Sequence, residues 1–110
     1  MEPTKHIVKP ITPDEVDKGQ HIPDFVIQAF NELIAEAWEG REATVVQKDA
    51  VARCIKVAKV GGERVTSTML FYKGWLNVEG FYRNAGWDVV YDKPGYNESY
   101  EATFCFTRAR

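Results

Sequence analysis

The sequence predicts an α+β fold in which helices pack on a small antiparallel sheet closed by a C-terminal β-hairpin. Three observations predict it. Residues 87–108 alternate apolar and polar positions on both sides of the loop KPGYNES. Residues 23–39 repeat apolar side chains at three- and four-residue spacing. Between these segments, short apolar-faced stretches are punctuated by Gly40, Gly61-Gly62, Gly74 and Gly86. The chain has 110 residues, 45% of them hydrophobic and 27% charged, which suits one self-supporting core.

Residues 1–20 read as an N-terminal arm and 21–110 as a single α+β domain. In the arm, residues 4–11 (TKHIVKPI) suggest a short strand that Pro10 ends or confines to an edge. Thr12 can cap a one- to two-turn helix to about Lys18, with Pro13 in its first position, Glu15 closing a capping box and Gly19 after it. Pro23 then opens the helix 23–39, with Asp24 favoured in its first turn by the helix dipole. Its stripe is Val26, Phe30, Leu33, Ile34, Ala37 and Trp38, with Glu32, Glu36 and Glu39 off it and Gly40 as the stop.

Residues 43–46 (ATVV) are β-prone. Residues 47–58 read as a second helix, with Ala50, Val51, Cys54, Ile55 and Ala58 on one face. Cys54 on that face reads as core filler. Thr66 and Ser67 are placed to cap a short helix carrying Met69, Leu70 and Tyr72, ended by Gly74. Asn77 is placed to cap a last helix with Val78, Phe81, Tyr82 and Ala85 on one face. In the hairpin, Trp87, Val89 and Tyr91 face Tyr100, Ala102, Phe104 and Phe106 inward, while Asp88, Asp92, Glu101 and Thr103 meet water. Eleven of the 14 aromatic residues follow position 70, so the core is weighted to this end.

Composition narrows the function. No apolar run approaches the roughly 18 residues of a membrane span, and MEPTKHIVKP lacks the apolar core of a signal peptide. Two cysteines, Cys54 and Cys105, are too few for a secreted disulfide framework, so reduced thiols in the cytoplasm are expected. The only possible N or S metal ligands, His6, His21, Cys54 and Cys105, lack ligand spacing, so neither metal nor cofactor is expected. A nucleophile elbow is absent, VGGERVTS lacks the spacing of a phosphate-binding loop, and the acids Asp92 and Glu98 have no visible partner. A non-enzymatic binding module is the expectation, with a small hydrolase or nuclease as the enzymatic alternative.

Charge is uneven. Residues 1–40 carry a net −5, residues 41–86 a net +4 and residues 87–110 a net −1. Helix, short strand, helix, helix and hairpin is the order of a winged helix-turn-helix, although the connection 59–75 is long for its turn. A generic α+β domain explains the same order. On the winged-helix reading, Lys48, Arg53, Lys56, Lys59, Arg64, Lys73, Arg83 and Lys93 would neutralise phosphates. Asn77, Arg83 and Asn84 would reach base edges. A pI near 5.7 argues against a strongly basic nucleic-acid surface. The hairpin tip, with Tyr96, Asn97 and Tyr100, is either a partner-binding wing or turn chemistry set by Pro94-Gly95, with Asn97 and Ser99 bonding the backbone.

The segments IPDFVIQAFNELIAEAW and GWLNVEGFYRNAGWDVVYDKPGYNESYEATFCF resemble small accessory proteins of tailed bacteriophages. The resemblance covers most of residues 20–108, and its most specific part is the string GW…YDKPGYNESYEA. It implies a phage-encoded accessory factor in the host cytoplasm, bound to nucleic acid or to a host protein, and carries over no functional residue.

Overall fold

A computed structural model describes residue 10 and residues 22–109; the predicted strand 4–11, apart from Pro10, and the predicted arm helix lie outside the described residues. The first helix, α1 (Asp24–Ala37), starts behind Pro23 and buries Val26, Ala29, Phe30 and Ile34 along one stripe. Trp38 leaves the helix in extended conformation. Strand β1 (Glu42–Val46) runs straight into α2 (Gln47–Val60) with no loop between them. No side chain caps α2. Its first amide instead donates to the Ala102 carbonyl at 2.8 Å, which satisfies an otherwise orphan donor.

Small residues at four-residue spacing, Ala50, Cys54 and Ala58, form the buried seam of α2. The helix extends two residues beyond the predicted end at Ala58 and closes in a Schellman motif. Glu63 N–H donates to Ala58 C=O at 2.8 Å and Gly62 N–H to Lys59 C=O at 3.0 Å. Gly62 sits at φ +85, where a side chain is disfavoured. Helix α3 (Ser67–Tyr72) is capped by Thr66, whose Oγ1 accepts from Met69 N–H at 3.2 Å. The same closing pattern follows it at Gly74, φ +70.

Helix α4 (Glu79–Asn84) departs from the sequence reading. Val78, not Asn77, is its N-cap residue, and no side chain caps it. Of its own residues only Tyr82 is buried, whereas Phe81 points outward. Strands β2 (Trp87–Asp92) and β3 (Thr103–Arg108) form the predicted hairpin. The sheet is antiparallel throughout, in the order β1-β3-β2. Phe104 faces Val45 on one side and Tyr91 on the other; Phe106 faces Ala43 and Val89. These inward side chains meet α1 through Phe30, whose ring lies 5.1 Å from Phe104, edge to face. Tyr82 brings α4 to the same cluster, 5.2 Å from Phe106. Each large aromatic removed from water here contributes about 1.5–3 kcal/mol, so the core is centred where helix and sheet faces meet.

Among the described residues, the other face of the sheet is open. Thr44, Cys105 and Val90 form its middle row, and Val90 is 63% exposed. Asp88 and Asp92 meet water as predicted. Tyr100 does not face inward: the strand begins at Thr103, leaving Tyr100 and Glu101 in the exposed connection 93–102.

Candidate nucleic-acid interface and hairpin tip

Three predicted phosphate contacts share one side of α2. At about 100° per residue, Lys48, Lys56 and Lys59 fall within an arc of about 80°, and all three are exposed. Beyond the helix end, Arg64 lines a shallow cleft with Lys59, Ile55, Glu63 and Val65. Lys56 has acidic company, sharing a groove with Glu32, Glu36 and Arg53.

Arg53 is not free for phosphate. Its guanidinium grips Glu36 with two bonds of 2.7 and 2.9 Å and reaches Glu32 at 2.9 Å, clamping α2 to α1. The Glu36 carboxyl is held below its usual value by this bond, and that of Glu32 by bonds from Gln28 and then Arg53. Arg83 is likewise engaged, donating to the Val89 carbonyl at 2.8 Å. Arg53, expected at the interface, therefore serves the fold, and Arg83, expected there too, holds a backbone carbonyl while staying exposed. Sequence reasoning missed this because their acceptors lie on neighbouring elements, 17, 21 and 6 positions away. Asn77 and Asn84 are exposed at either end of α4.

The hairpin tip is built by Glu98 and Tyr100 rather than by Asn97 and Ser99. Glu98 N–H donates to Gly95 C=O at 3.1 Å, and Gly95 N–H donates to Glu98 Oε1 at 2.8 Å. This reciprocal pair closes a four-residue turn with Tyr96 and Asn97 at its corner. The Tyr100 hydroxyl, within 2.7 Å of the Lys93 carbonyl and 2.9 Å of Asp92 Oδ1, ties the two sides of the connection. Its pKa is raised, first by the bond to Asp92. Tyr96 is 100% exposed. Lys93 is exposed too, but among Asp92, Glu98 and Glu101, so the tip is net acidic.

Elsewhere, Cys54 is fully buried, and burial pushes its thiol up to about 12, away from nucleophilic use. Among the described residues no three His, Cys, Asp or Glu side chains are grouped to hold a metal ion. None of the described helices is long and apolar enough to cross a membrane. No protein-family model, curated protein or solved structure matches the chain.

Proposed function

We propose that the chain is a small non-enzymatic binding module of winged-helix type, a phage-encoded regulator that contacts nucleic acid through the exposed side of α2. The element order and the sheet order β1-β3-β2 support the winged-helix reading. The observation that carries the nucleic-acid assignment is the exposed run Lys48, Lys56 and Lys59 on one side of α2. These cations neutralise backbone phosphates, and Asn77 and Asn84 at the ends of α4 are the residues left to touch bases. The acidic tip repels phosphate and stays off the backbone. Binding is therefore modest and strongly salt-dependent.

Fluorescence anisotropy with labelled duplex DNA tests this. The slope of log K against log salt should approach about −3 if three lysines neutralise one phosphate each. Lys48→Glu with Lys59→Glu should abolish binding, while Arg53→Gln should leave it within error. Absence of binding to duplex DNA and RNA at low ionic strength rejects the assignment. The fully exposed Tyr96 in acidic surroundings favours a second reading, a protein-binding factor that uses the hairpin tip. Capture of a host protein by the wild type but not by Tyr96→Ala would support it.

A further inference from the structure

A cleft of about 700 Å³ opens between the C-terminal half of α1, the end of α4 and the paired ends of β2 and β3. Its volume is in the range that holds a small molecule. Trp38 and Trp87 stand edge to face in its wall, 5.6 Å apart and at 87°. Ala35, Ala85 and Gly86 line it with little or no side chain, so a flat ring can approach closely. Among the described residues of the lining, Arg108 is the one that carries a charge, and none is Asp or Glu. Asn31 adds directed polarity. Its Oδ1 accepts from the Tyr82 hydroxyl at 2.7 Å, which fixes the amide where Asn31 lines the cleft.

We infer that this cleft binds a planar aromatic ring bearing a carboxylate or phosphate, with the ring against Trp38 and Trp87 and the anion on Arg108 and Asn31. The lining is selective by its chemistry. Two indoles give a ring apolar area and edge-to-face partners, while guanidinium and amide donors meet an anion and no carboxylate of the described lining opposes it. A neutral ring forgoes the charge-assisted bonds, and a bare anion forgoes the aromatic wall. Nothing in this inference depends on the α2 interface, because Lys48, Lys56 and Lys59 do not line the cleft.

The test titrates the full chain by isothermal calorimetry. Indole-3-acetate and adenosine monophosphate represent the carboxylate and phosphate sources; indole, acetate and inorganic phosphate are the partial ligands. Saturable heats from at least one ring-bearing anion, with a Kd about tenfold below those of the partial ligands, are expected. Which probe binds tighter identifies the source. Arg108→Gln should erase the tenfold preference while indole binding survives, and Ala35→Leu should block both by filling the cleft. Circular dichroism melts confirm that the variants are folded. The inference fails if no probe saturates below about 10 mM, or if Arg108→Gln leaves the anion preference unchanged.

Discussion

Tyr82 is expected to decide whether α4 stays on the core. It is the only buried residue of that six-residue helix, and Gly80 beside it weakens the helix by about 1 kcal/mol relative to alanine. Its ring packs against Phe106 at 5.2 Å and Phe30 at 6.4 Å. Its hydroxyl donates to Asn31 Oδ1 at 2.7 Å and lies 3.2 Å from the Ile27 carbonyl. Tyr82→Phe removes only the hydroxyl. A net protein hydrogen bond contributes about 0.5–1.5 kcal/mol. Because Asn31 is exposed and water can replace the lost donor, the loss should fall at the lower end, about 0.5–1 kcal/mol. Tyr82→Ala removes the ring as well and should cost about 3–5 kcal/mol. Urea unfolding followed by circular dichroism gives both values. Amide hydrogen exchange should show protection falling in residues 79–86 before the sheet in Tyr82→Ala, since nothing else on α4 is buried. Equal losses for the two variants, or unchanged α4 exchange in Tyr82→Ala, would refute the anchoring argument.

Other outcomes follow from single sites. Native protein treated with a thiol reagent should label at half-buried Cys105 but not at Cys54 until urea is added; rapid native labelling of both would contradict the buried seam of α2. The depressed carboxyls of Glu32 and Glu36 stabilise the fold at neutral pH, and this contribution is lost as pH falls below their ordinary value of 4.5. Arg53→Met should flatten that part of the pH dependence of the urea midpoint, and an unchanged profile would show the clamp to be idle. Gly80→Ala should stabilise by about 0.5–1 kcal/mol, because open space surrounds a Cβ there. Gly74→Ala should destabilise by about 1–2 kcal/mol, since φ is +70 and a Cβ would lie 3.3 Å from Asn77 Nδ2. Thermal melts distinguish the two signs.

Local pattern carried the fold far. The stripe Val26, Phe30 and Ile34, the Thr66 cap and the alternation through Phe104 and Phe106 each state their environment within a few neighbouring residues. Misreadings arose where the deciding partner is remote in sequence. Asn77 looks like a cap, but the turn after Gly74 already carries the chain to Val78. Tyr100 has the right parity to face inward, yet its hydroxyl finds Asp92 and Lys93, and the ladder stops at Thr103. Arg53 and Arg83 look like ordinary surface cations until their acceptors are placed. The cleft of Trp38, Trp87 and Arg108 has no sequence signature, because its lining is drawn from positions 31 to 108 and assembled only by the packing of α1 against the hairpin.

The bond from Arg83 to Val89 has a consequence for how copies of this chain behave in a crowd. Ala109 N–H donates to Gly86 C=O, which sets the alternation of the β2–β3 ladder. Asp88, Val90 and Asp92 then bond inward to β3, and Val89 turns its carbonyl to the outer margin of the sheet. An uncovered margin is a template on which another chain can lay a strand. The Arg83 guanidinium occupies that carbonyl and sets a positive charge on the margin, so an incoming strand loses a hydrogen bond at its midpoint. Arg83→Ala, which frees that carbonyl and removes the charge, should shorten the lag before light scattering rises in concentrated, warmed solutions.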